Sequence, residues 1–148
     1  MSNYYSNGYD EYGEIQQAIA AGERALNSLQ EADVALAGAS TWGLFDIFGG
    51  NFLSGMVKHS RIKDARYHLE AAKRDLLTFQ DEYADVRGMD VLDLGIGDFL
   101  TIADFLFDGL LADIFVQSKI EDARKSVRNA IDGVRDALWS LNERASKL

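Results

Sequence analysis

The chain has 148 residues, a formal net charge of −9 at pH 7, and neither cysteine nor proline. This length allows one domain that buries its own core, and the lack of cysteine excludes disulfides, thiolate nucleophiles and thiolate metal sites. The negative charge disfavours non-specific binding to nucleic acid and to anionic lipid, because such contacts start against long-range repulsion.

Residues 1–13 are rich in Tyr, Asn, Ser and Gly and show no helical period. The sequence therefore predicts a flexible tail here, followed by one helical domain over residues 14–148. The tail lacks the basic and apolar regions of a signal peptide, and no uninterrupted apolar run reaches the roughly 20 residues that span a bilayer. We accordingly expect a cytoplasmic protein.

A first helix is predicted over residues 14–36, where apolar residues recur every three or four positions. This stripe consists of Ile15, Ile19, Gly22, Leu26, Leu29 and Leu36. Several alanines widen it and favour close packing. Asp33 falls on or beside the stripe, and a buried carboxylate needs a partner. We therefore expect a small rotation that turns Ala32 inward and leaves Asp33 in water.

Gly38, Ser40 and Thr41 are typical of a helix end followed by a new cap, so the first helix is predicted to stop there. A short helix or tight apolar turn is predicted over residues 44–48. The second long helix is predicted over residues 51–87, with Gly88 ending it. Its apolar phase slips near His59, and we expect a continuous helix with a local change of winding.

The second helix and the last helix carry the same pattern, 58 residues apart. The motif S-(R/K)-I-x-D-A-R opens both copies, at residues 60–66 and 118–124. The first stripe consists of Ile62, Ala65, Leu69, Ala72, Leu76, Phe79, Tyr83 and Val86. The second consists of Ile120, Ala123, Val127, Ala130, Val134, Ala137 and Leu141. The sequence therefore predicts an internal repeat with halves of about residues 40–88 and 98–146, and a last helix that starts at Leu110 or Ser118 and ends near Ala145.

The segment before the last helix, residues 89–115, is rich in glycine, phenylalanine and aspartate. From Asp98 onward it predicts a short helix that is mostly buried, either in the core of the chain or against another molecule. We expect its aromatic residues and one upstream tryptophan to form an interaction surface. These residues are Phe99, Phe105, Phe107, Phe115 and Trp42.

The segments FGGNFLSGMVKHSRIKDA and FLTIADFLFDGLLADIFVQSKIEDA together resemble those of a family of uncharacterised bacterial helical proteins. That family pairs a W-x-x-(F/W)-D-x-x-G-G-G motif and a K-H-S-x-(I/L)-x-x-A helix with a later F-D-G-L-x-x-D-x-x-V-Q-S-K-I helix. The resemblance covers residues 42–65 and 99–123, and Asn51 replaces the third glycine. It implies a bacterial source and a helical fold, and it implies no activity.

Few residues can carry chemistry. The only histidines are His59 and His68, and neither follows a glutamate by three residues, which disfavours a di-iron site. No nucleophile arrangement and no phosphate-binding loop is readable, so we expect no enzyme, cofactor or metal. The polar residues that stand out among apolar neighbours are Asp46, His59, Asp104 and Asp108. They are read as helix caps and surface residues, as ion-pair partners, or as an acid or cation site.

The sequence thus predicts an all-α fold, an antiparallel bundle of about three long helices with one or two short apolar helices and a pseudo-twofold repeat. The expected function is a non-enzymatic scaffold that self-associates or binds a partner helix. One alternative is peripheral membrane association, which the charge disfavours. Another is a bundle that binds a small ligand or cation through Asp46 and Asp104. Nucleic acid is not an expected partner.

Overall fold

The computed structural model describes residues 10–49, 52–86, 88–89, 99, 101 and 117–148. These residues contain three α-helices and no strand. The helices are α1 (Glu11–Gly49), α2 (Phe52–Ala84) and α3 (Gln117–Ser146). The prediction of an all-helical fold is confirmed for this part of the chain. None of the described helices is long and apolar enough to cross a membrane.

Helix α1 is longer at both ends than its sequence pattern indicates. It begins at Glu11, inside the predicted tail, with the amide of Glu14 donating to the carbonyl of Asp10 at 2.9 Å. It then continues to Gly49, so the predicted end near Gly38 and the separate short helix over residues 44–48 are wrong. An interior glycine costs only about 1 kcal/mol relative to alanine, and without proline nothing forces the helix to stop.

Helix α2 runs without interruption through the phase slip near His59, as predicted, and ends at Ala84. A short turn follows, in which the amide of Val86 donates to the carbonyl of Tyr83 at 3.1 Å. Gly88 then has a φ of +80°, a conformation that favours glycine. Helix α2 therefore ends three residues before the predicted Arg87, and the positive φ explains why a glycine stands just beyond it.

The predicted stripes of all three helices form one hydrophobic core, with α1 packed against both α2 and α3. Two leucines of α1, Leu29 and Leu36, are fully buried, and so is Ala32. The buried stripe of α2 consists of Ala65, Leu69, Ala72, Leu76, Phe79, Tyr83 and Val86. That of α3 consists of Ile120, Ala123, Val127, Ala130, Val134, Ala137 and Leu141. The periodicity therefore identified the core positions correctly, and Ala32 turns inward as expected.

Gly22 marks a close approach of the three helices. A Cβ atom placed on Gly22 would lie 2.7 Å from the Cδ2 atom of Leu138 in α3 and 2.9 Å from the Cε1 atom of Phe79 in α2. Real Cβ atoms do not come this close to other heavy atoms. The glycine in the stripe of α1 is thus what allows Phe79 and Leu138 to meet the same point of α1.

Candidate functional site

Most of the predicted site residues fall outside the part of the chain that can be described. Trp42 and Asp46 lie in α1 and His59 lies in α2, but their side chains are not among those described. Also outside the described residues are Asp104, Phe105, Phe107, Asp108 and Phe115. Phe99 is described, and with 1% of its surface exposed it belongs to the hydrophobic core. Phe99 therefore packs inside the chain, whereas the other residues of the predicted surface stay a prediction.

An open groove lies between α1 and α2 and has a volume of about 430 Å³. We call it the α1–α2 groove. It is lined by Gln30, Glu31, Val34, Ala35, Asp64 and His68. A volume of this size falls within the range of small-molecule and side-chain pockets, but the groove is open rather than enclosed. It can therefore accept a protruding side chain more readily than it can bury a whole ligand.

The α1–α2 groove combines exposed apolar side chains with acidic ones. Val34 in the groove and Tyr67 beside it are 72% and 69% exposed. The ring of Tyr67 meets the ring of His68 edge-on, with centroids 5.3 Å apart. His68 Nδ1 lies 3.6 Å from a carboxylate oxygen of Glu31, and Asp64 contributes a second carboxylate to the lining. An occupant with an apolar body and a positive charge matches this chemistry.

Helix α3 carries a second exposed apolar residue, Trp139, which is 67% exposed. Its neighbour in sequence, Leu138, turns inward toward Gly22. Arg135 lies one helical turn before Trp139 and is also exposed, so the guanidinium and the indole share one face of α3. We call this surface the Arg135–Trp139 face.

Asp33 is held between two arginines of α3 instead of lying free in water. One of its carboxylate oxygens is 3.5 Å from the Nε atoms of both Arg124 and Arg128, and the Asp33 side chain is 25% exposed. The expectation that Asp33 lies in water is therefore only partly met. The carboxylate sits at the edge of the α1–α3 contact, where it joins the two helices through charge.

The buried polar side chains of the described region are two serines, Ser28 and Ser126. The hydroxyl of Ser28 donates to a carboxylate oxygen of Asp75, which links α1 to α2. The hydroxyl of Ser126 has no hydrogen-bond partner among the described residues. Neither serine has a histidine or a second acid placed to activate it, so they do not form a catalytic arrangement.

The end of the bundle at the start of α1 holds an ion pair. Arg144 donates from Nε and from Nη2 to the same oxygen of Glu11, at 2.8 and 2.7 Å, and so ties the last turns of α3 to the first turn of α1. The guanidinium also lies against Gly88, where a Cβ atom would meet Nη1 at 2.9 Å. Arg144 thus fills the space beside the turn that follows α2.

Three carboxylates meet near the same end. Glu14 of α1 comes close to Glu82 and Asp85, with ligand oxygens within 4.8 Å of one another. Sequence reasoning missed this cluster because its members come from segments almost 70 residues apart, and no local spacing signals it. The three groups are partly or fully exposed, so water screens them, and a surface group of acids does not by itself indicate a metal site.

These features provide interhelical contacts and an accessible groove, and no catalytic constellation is found among the described residues. No family model, no curated protein and no solved structure matches the chain. The resemblance to a bacterial helical family therefore stays a resemblance. Any functional conclusion has to come from the surface of the helices themselves.

Proposed function

We propose that this protein is a non-enzymatic helical scaffold that self-associates through apolar side chains on the outside of an antiparallel three-helix bundle. The carrying observation is that Val34 and Tyr67, each about 70% exposed, lie at the same groove on neighbouring helices. Single exposed apolar residues are ordinary, but a pair beside one groove is typical of an interaction site.

The antiparallel arrangement of α1 and α2 is supported by the order of their contacts. Ser28 of α1 bonds to Asp75, and Glu31, further along α1, meets His68, which is earlier in α2. Gly22, earlier in α1, meets Phe79, which is later in α2. Advancing along one helix therefore means going back along the other.

The same reasoning applies to α1 and α3. Glu11 at the start of α1 pairs with Arg144 near the end of α3, and Asp33 pairs with Arg124 near the start of α3. Helices α2 and α3 would then both run opposite to α1. In this arrangement their matching stripes, 58 residues apart, pack on α1 in the same sense, which supports a pseudo-twofold repeat with its axis along α1.

The core supports a scaffold over an enzyme. Its members among the described residues are apolar side chains, with Ser28 and Ser126 as the buried polar exceptions. An active site ordinarily needs ionisable groups held in a cleft away from water. The ion pairs of the described region lie at the edges of the helix contacts, where they stabilise the bundle and leave the core apolar.

Self-association is tested by light scattering over a dilution series of the full chain and of a chain without residues 1–9. The monomer mass is 16.4 kDa. We expect a higher mass that falls on dilution, and a weaker association when Tyr67 is replaced by serine. Tyr12→Ser is a matched control, because Tyr12 is 57% exposed and is not among the lining residues of the groove. A mass of one chain at every concentration would refute self-association, and flotation of that monomer with liposomes would favour the membrane alternative.

A further inference from the structure

We propose that the α1–α2 groove of one copy receives the Arg135–Trp139 face of a second copy. This inference rests on the proposed self-association and identifies the two surfaces that meet. Each copy carries both surfaces, the groove on α1 and α2 and the face on α3. One set of contacts therefore joins the acidic groove of one chain to a basic, aromatic surface of the next.

The shapes of the two surfaces are compatible. Trp139 projects into solvent from the outside of α3, and the groove offers about 430 Å³ of open volume. Val34 and Ala35 provide an apolar floor, and Tyr67 stands at the side. A tryptophan that enters such a depression removes apolar surface of both chains from water, and tryptophan is among the residues that most often dominate an interface.

The charges of the two surfaces are also complementary. The groove contributes the carboxylates of Glu31 and Asp64, and the face contributes the guanidinium of Arg135, one turn from the indole. In a chain with a net charge of −9 these carboxylates repel much of the surface of a second copy. Arg135 makes no ion pair with another described residue, so its guanidinium is available to the groove.

The arrangement has a consequence for the size of the assembly. The two surfaces differ, so the contact is used twice in a closed dimer or once at each junction of an open chain. Both forms need the groove of one copy and Trp139 of another. A copy with a blocked groove still offers a working face, and a copy that lacks Trp139 still offers a working groove.

The test begins with three single variants, Asp64→Arg in the groove and Trp139→Ala and Arg135→Asp on the face. Each should raise the concentration of half-association, by about tenfold or more for Trp139→Ala. Asp136→Asn is the matched control, because Asp136 is exposed on the other side of Trp139 and should leave association unchanged. Circular dichroism at a concentration where every chain is monomeric checks that each variant keeps its helices.

Two combinations separate a specific contact from a general charge effect. Asp64→Arg makes the chain less negative and Arg135→Asp makes it more negative, so general repulsion predicts opposite effects, whereas a direct contact predicts that both weaken association. The double variant Asp64→Arg/Arg135→Asp should recover association because the charges are exchanged. An equimolar mixture of the Asp64→Arg and Trp139→Ala chains should associate more strongly than either chain alone.

The outcomes distinguish this inference from the proposal on which it rests. If the unmodified chain is monomeric at all concentrations, self-association is wrong and this contact with it. If the unmodified chain associates but Trp139→Ala and Asp64→Arg associate equally well, self-association stands and the proposed contact is overturned. Weakening by both variants together with recovery in the double variant supports the contact.

Discussion

Replacing Gly22 with alanine tests the close approach of the three helices most directly. At an exposed position of a helix this change stabilises by about 1 kcal/mol, because alanine has the higher helix propensity. At Gly22 the new Cβ atom meets Leu138 Cδ2 at 2.7 Å and Phe79 Cε1 at 2.9 Å. The methyl of Leu138 can move aside, but the ring of Phe79 is fully buried and has little freedom.

The expected magnitude follows from these two opposing effects. Extra atoms in a packed core destabilise by about 1–3 kcal/mol, and a middle value of about 2 kcal/mol exceeds the propensity gain. Gly22→Ala should therefore lower the free energy of unfolding by about 1 kcal/mol, which corresponds to a fall in Tm of roughly 3 °C for a chain of this size.

The measurement is urea unfolding followed by circular dichroism, at a protein concentration below any self-association. Ala20→Gly supplies the matched control, because Ala20 is exposed two residues earlier in α1 and reports the propensity difference alone. The steric cost at Gly22 is then the observed loss plus that difference. An increase in stability of about 1 kcal/mol for Gly22→Ala would show that no close contact exists there and would refute the packing described for α1.

Three further predictions concern stability and are read from the same unfolding curves. Phe79→Ala should destabilise by about 3–5 kcal/mol because a fully buried ring is lost, whereas Leu77→Ala, at a 36% exposed position, should change stability by less than about 1 kcal/mol; equal effects would contradict the assignment of the buried face of α2. Asp33→Ala should cost about 1–3 kcal/mol because Arg124 loses its carboxylate, and a neutral result would mean that the pair is solvated. Ser126→Ala should be neutral or stabilising by up to about 1 kcal/mol, since it removes a buried hydroxyl that has no partner among the described residues, and a clear loss of stability would reveal such a partner.

The sequence predicted the buried positions of α2 and α3 well because the inward face of a helix is written in a local period. Every described member of the two stripes is buried. It failed at the end of α1, where Gly38 and Thr41 have the character of a helix stop although the helix continues to Gly49. Capping residues and glycine permit an end but do not force one, and only proline would have interrupted the backbone bonding.

The candidate site was less accessible to sequence reasoning. The aromatic segment drew attention to Phe99, which packs in the core, whereas Val34, Tyr67 and Trp139 are exposed and give little signal in sequence. A single apolar residue on a polar face resembles ordinary surface variation. Its importance depends on which residue of another helix lies beside it, as Tyr67 lies beside the α1–α2 groove.

The sequence by itself determined that this chain is helical and which stripe of each helix faces inward. Both properties follow from the spacing of neighbouring residues along one backbone. Only the tertiary structure decided that Asp33 lies between two arginines, that Glu14 meets Glu82, and that Gly22 lies at a close crossing. Such meetings depend on how far each helix is rotated and shifted against its neighbour, and the whole packed core sets that relation.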